Sequence, residues 1–142
     1  MMTILMGRGT MFVGVLLAVV VLRASAQAPA TRETASDSIT PAMIARGDSI
    51  FHGKLAGGTC HVCHGEDAKG TAGLAPDLTS GKWLNGDGSY AFIMNTVQKG
   101  VPSPKESPAA MPPMGGVNLS ADQIRAVAAY VYSVSRSKTR KD

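Results

Sequence analysis

A chain of 142 residues has room for one folded domain with a leader in front of it. Its formal net charge is only +4 and it carries no dense basic patch with interleaved aromatics, which excludes a nucleic-acid-binding reading. Aromatic residues make up 5% of the chain, so small aliphatics, or a body other than side chains, must fill the core.

In chain order, the first 26 residues read as an export leader. Arg8 supplies a positive start, residues 11–22 (MFVGVLLAVVVL) are an apolar run of 12, and Ala24-Ser25-Ala26 offers small residues for cleavage. The run is shorter than the roughly 20 residues of a membrane span. Arg23, inside the usual cleavage region, leaves an uncleaved membrane anchor as the alternative. Cleavage after Ala26 removes two arginines and no acid, taking the charge from +4 to +2. So small a charge gives a partner little long-range steering. Residues 27–39 are mostly small and polar and read as a flexible linker.

A helix is expected from Thr40-Pro41, where Thr40 caps and Pro41 suits the first helical position. Met43, Ile44, Gly47, Ile50 and Phe51 recur at helical spacing, and Gly53 is a natural stop. Residues 54–88 are glycine-rich and broken by Pro76. A second helix is expected from about Ser89 to Lys99, with Tyr90, Ile93, Met94 and Val97 on one face and Gly100 at its end. Residues 101–118 hold five of the eight prolines, which excludes helix and central strand there. Ser120 and Gln123 then form a capping box ahead of an apolar stripe at Ile124, Val127, Ala128, Val131 and Val134. From Ser135 the tail is basic and expected to fray. With no alternating strand pattern of useful length, the fold class is all-α: three or more helices joined by long loops.

The one strong chemical signal is Cys60-His61-Val62-Cys63-His64. A disulfide closing so small a loop would stabilise little. A thioredoxin-like redox pair needs a preceding strand in a βαβ unit, whereas Gly57-Gly58 precedes this motif. Zinc needs four ligands, and these three are too close in sequence to leave an obvious fourth. The spacing C-x-x-C-H fits attachment of a c-type haem. On a helical turn, residues i, i+3 and i+4 share one face. Two thiols there can add to the haem vinyl groups while the imidazole reaches the iron.

Several segments together resemble the class I monohaem cytochromes c. They are Gly47 and Phe51 before the motif, Cys60 to Gly65 at it, Ala75-Pro76-Asp77-Leu78 after it, and Met111-Pro112-Pro113 followed by a final helix reaching Tyr130. The resemblance covers residues 40–135 and implies a cytochrome c-like fold around one covalent haem c. It implies that Cys60 and Cys63 form the thioethers, that His64 is the proximal iron ligand, and that Met111 is the distal one. Met114 is a rival in the same loop. It further implies that the Pro76 carbonyl accepts from the His64 ring, that Leu78 packs on the haem face, and that Gly47 and Phe51 meet Tyr130 where the first and last helices cross. Trp83, the only tryptophan, is placed either on a haem propionate through its N–H or as a half-buried surface aromatic. His52 and His61 are expected to be exposed.

A His/Met-ligated iron has both axial positions filled, so the implied function is single-electron transfer by an exported, periplasmic protein. It would act as a soluble carrier or as the haem subunit of a larger oxidoreductase. Redox proteins, a dehydrogenase or a terminal oxidase or reductase, would be its partners, and the chain alone would turn over no substrate. The alternative is a haem-based sensor or ligand-binding protein whose distal site is open.

Overall fold

A computed structural model of the chain describes residues 38–137. The leader, most of the linker and the last five residues lie outside that range, so the expectations made for them do too. Among the described residues there are four α-helices and no strand beyond two isolated bridges. The helices are α1 (Pro41–Phe51), α2 (Cys60–His64), α3 (Tyr90–Lys99) and α4 (Ala121–Arg136).

Each long helix begins where a hydroxyl can satisfy free backbone N–H groups. Thr40 Oγ1 accepts from the Met43 amide at 3.2 Å, and Ser89 Oγ accepts from Phe92 at 3.1 Å. At α4, Ser120 Oγ accepts from the Gln123 amide, and the Gln123 side chain accepts from the Ser120 amide at 2.7 Å. Such reciprocal capping pairs two of the four donors that every helix start leaves unpaired.

Helices α1 and α4 cross in the most extensive helix contact of the domain, and α3 packs on α4. Gly47 makes the crossing possible. A β-carbon there would lie 2.0 Å from the Ala126 carbonyl oxygen and 2.9 Å from the Tyr130 β-carbon. Beside it the Phe51 and Tyr130 rings stand 5.1 Å apart, as the resemblance implied. Ile50, Phe51, Ile93, Val97, Ile124, Val127 and Val131 are buried around this crossing, together with the small Ala126, Ala128 and Ala129.

Two boundaries differ from the sequence expectation. Ile39, assigned to the linker, packs against the core. It precedes the N-cap residue Thr40, and with Ile44 it occupies the two positions of a hydrophobic staple. The last helix runs through Ser135, which is 3% exposed, to Arg136. Ser135 Oγ donates back to the Tyr132 carbonyl at 2.8 Å, and the Arg136 guanidinium lies 4.2 Å over the Tyr132 ring. These contacts hold the final turn that composition alone suggested would fray.

Among the described residues, no helix is long and apolar enough to cross a membrane.

Candidate functional site

The cysteine motif forms a single helical turn. It places Cys60, Cys63 and His64 along one wall of a cavity of about 330 Å³. All seven site residues named from the sequence line that cavity: Cys60, Cys63, His64, Pro76, Leu78, Trp83 and Met111. Core side chains such as Phe51, Ile93, Val97, Val127 and Val131 complete the lining. Such a volume suits a small-molecule or cofactor site. Met114 is not among the lining residues; it packs against the hydrophobic core instead.

The His64 ring is oriented by the chain. Its Nδ1 lies 3.2 Å from the Pro76 carbonyl oxygen, which can only accept, so Nδ1 carries the proton and Nε2 keeps its lone pair. Burial pulls the His64 pKa below its ordinary value, and the Pro76 hydrogen bond opposes that only in part. A neutral imidazole with one nitrogen held and the other free is the form that binds iron. The Pro76 loop is itself braced. Asp77 Oδ1 accepts from both the amide and the hydroxyl of buried Thr79, each at 2.7 Å, and the Leu78 amide donates to Ala68 at 2.9 Å.

Met111 is fixed through its backbone. It pairs with Val101, just past α3, by two hydrogen bonds of 2.9 and 3.0 Å. A tight turn over Pro113–Gly116 follows, with Met114 at φ 54° and Gly115 at φ 70°. Further ties join the loops around the cavity. Ser107 Oγ donates to Leu74 O at 2.6 Å, Lys105 Nζ to Leu84 O at 2.8 Å, and Thr59 Oγ1 to Gly115 O at 2.7 Å. Trp83 stacks edge-on against Phe92, with ring centroids 5.9 Å apart.

Cys60 does not match the attacking thiol of a redox centre. Burial raises the Cys60 pKa, whereas a reactive cysteine needs it lowered. Among the described residues no three of His, Cys, Asp and Glu are grouped to hold a metal ion by themselves. Two thiols and an imidazole on one helical turn, facing an apolar cavity that Met111 also lines, form a donor set that fits haem c.

His52 and His61, expected at the surface, are largely covered, with side chains 13% and 26% exposed. Both rings pack against backbone carbonyls: His61 against the last residue of α1, and His52 between α1 and the loop after the motif. His61 Nδ1 donates to Phe51 O at 3.1 Å. His52 faces Asp48 O through Nδ1 and Glu66 O through Nε2, both at 2.8 Å. Both of those partners are acceptors, so only the protonated ring satisfies the two bonds together. The roles of Thr59 and His52 were missed from sequence. Nothing local in the sequence pointed to the distant partner of Thr59.

Comparison with known proteins agrees with this geometry. The family model described as cytochrome c oxidase, cbb3-type, subunit III matches residues 42–131. The Cbb3-type cytochrome c oxidase subunit CcoP of Rhodobacter capsulatus is 45% identical over 76 residues, covering 53% of this chain and 25% of that protein. The subunit of the same name from Rubrivivax gelatinosus is 34% identical over 95 residues, covering 67% and 27%. The Cbb3-type subunit FixP of Rhizobium meliloti (strain 1021) is 33% identical over 97 residues, covering 66% and 28%. The chain thus spans about a quarter of the length of these curated relatives. No solved structure matches it significantly. With an all-α fold, a C-x-x-C-H turn on an apolar cavity and a family match over most of the described domain, the chain belongs to the cytochrome c family represented by subunit III of the cbb3-type cytochrome c oxidases.

Proposed function

We propose that residues 40–135 hold one haem c and pass single electrons as a haem subunit of a terminal oxidase of the cbb3 type. Cys60 and Cys63 would form the thioethers, and His64 and Met111 would ligate the iron. The observation that carries this reading is an apolar cavity lined by Cys60, Cys63 and His64 of the attachment turn and by Met111, while Met114 packs against the core. The chain has two cysteines and one C-x-x-C-H motif, which supports a count of one haem.

When bound, the haem supplies the redox chemistry. The protein supplies position and surroundings. His64 is held in one tautomer by Pro76, which keeps its ligating nitrogen basic. The apolar wall excludes water, and methionine ligation raises the reduction potential. With both iron ligands supplied by the protein, the domain would carry electrons and would turn over no substrate by itself. Trp83 and Leu78 also line the cavity; Trp83 would donate its N–H to a propionate, and Leu78 would cover a haem face.

The names of the relatives favour a terminal oxidase as the redox partner over a dehydrogenase. Residues 1–26 direct export to the periplasm, with residues 11–22 a membrane tether if cleavage does not occur.

The test is a reduced-minus-oxidised absorption spectrum of protein matured in a host that attaches c-type haem, followed by carbon monoxide. Sharp c-type bands that carbon monoxide leaves unmoved are expected. Bands that shift would mean an open iron and would favour the sensor reading.

A further inference from the structure

Thr59 occupies the N-cap position of α2, yet its side chain makes no capping hydrogen bond. A threonine there ordinarily accepts from the first turn of its own helix. Here the hydroxyl instead donates at 2.7 Å to the carbonyl of Gly115, 56 residues further along the chain. Gly115 is close enough that a β-carbon on it would lie 2.9 Å from Thr59 Oγ1, and its φ of 70° disfavours any other residue. The Gly115 amide in turn donates to Pro112 O at 3.1 Å. Pro112 directly follows Met111. Thr59, Met111 and Gly115 all line the cavity.

The methionine loop is therefore pinned at two points. Val101 pairs with Met111 on the α3 side, and Thr59 grips Gly115 on the side of the attachment turn. Between them lies the Met114–Gly115 turn, whose left-handed Met114 is a conformation that L-residues hold only when the surroundings impose it.

We propose that Thr59 is a positioning residue for Met111, its hydroxyl tying the methionine loop to the residue next to Cys60 and so setting how firmly Met111 holds its axial position. This rests on the reading of Met111 as the distal ligand. A group covalently joined to the attachment turn is the natural anchor for such a tie, because it moves with the haem. Without the hydroxyl, the Gly115 carbonyl loses this bond, and of the two ties the one through Val101 remains.

The experiment compares Thr59→Val, which keeps the shape and removes the hydroxyl, with Thr59→Ser, which keeps the hydroxyl. Both are made in the haem-loaded protein. Imidazole is titrated into the ferric form as a competitor for the methionine position, and loss of the methionine-to-iron charge-transfer absorption is followed. Loss of one neutral hydrogen bond predicts that Thr59→Val binds imidazole about fivefold to tenfold more tightly than wild type, with a lower reduction potential. Thr59→Ser is expected to stay near wild type. Thr59→Ala serves if the valine variant does not mature. Hydroxyl-free variants that bind imidazole like wild type, or a serine variant shifted as far as valine, would overturn the tie while leaving Met111 as ligand. Carbon monoxide binding by reduced wild-type protein would instead overturn the reading of Met111, and this proposal with it.

Discussion

Gly100, the residue that ends α3, stands so close to Met111 that a β-carbon on it would lie 2.3 Å from the Met111 carbonyl oxygen and 2.8 Å from the Pro112 carbonyl carbon. The end of one helix and the backbone of the methionine loop share a space that only glycine leaves open. Gly100 also has a φ of 70°, so strain and clash both fall on any substitute.

Gly73 separates the two effects. Its φ is 73°, and a β-carbon on it would meet nothing within 4 Å. Gly73→Ala should cost only the left-handed strain of about 1–2 kcal/mol, with the haem spectrum unchanged. Gly100→Ala should cost more and admit carbon monoxide to the reduced iron, because the Met111 backbone has to move. Denaturant melts and carbon monoxide difference spectra of the two variants measure this. Equal costs and equally closed spectra would mean that the close approach does not position Met111.

The two loop methionines should differ in kind. Met111→Ala is expected to open the iron to carbon monoxide and lower the reduction potential. Met114→Leu is expected to keep a closed site and cost under about 1.5 kcal/mol, as a volume-conserving core change does. The same carbon monoxide spectra read both variants. An open site in the Met114 variant with a closed one in the Met111 variant would reverse the assignment.

His52 should make stability depend on pH. The Glu66 carbonyl is the main cause holding its pKa above the ordinary value. Burial opposes it, and the Asp48 carbonyl and the carboxylates of Asp48 and Glu66 assist. A histidine whose pKa rises on folding contributes stability below its unfolded value of about 6.5. That contribution disappears as pH rises through the folded value. The gap in melting temperature between wild type and His52→Gln should therefore be wider near pH 5.5 than near pH 8.5. Using the gap removes other titrations common to both proteins. A gap that widens toward alkaline pH would contradict the doubly bonded imidazolium.

Gly47→Ala inverts the usual propensity rule. In an exposed helix the change gains about 1 kcal/mol. At the α1–α4 crossing the new methyl meets the Ala126 carbonyl, and overpacking of this kind costs about 1–3 kcal/mol. A net loss of stability is expected in equilibrium unfolding. A variant as stable as wild type would show that the helices can part without cost.

Much of this molecule could be read along the chain, because the signals that shape it are local. Thr40, Ser89 and Ser120 cap within three residues of themselves, so the long helices start where the sequence puts them. Cys60, Cys63 and His64 fall on one turn through helical periodicity alone, which made the attachment chemistry legible. Tertiary structure decided what depends on partners remote in sequence. Met111 and Met114 are three residues apart in a loop without a periodic face, and only packing sends one to the cavity and the other to the core. His52 reads as a surface residue until the loop after the motif brings the Glu66 carbonyl to its ring. The tie from Thr59 to Gly115 joins residues 56 apart in the chain, and nothing local announces it. Hydrogen bonds and close contacts are satisfied by whichever group is nearest in space, and nearness in space is set by the assembled helices.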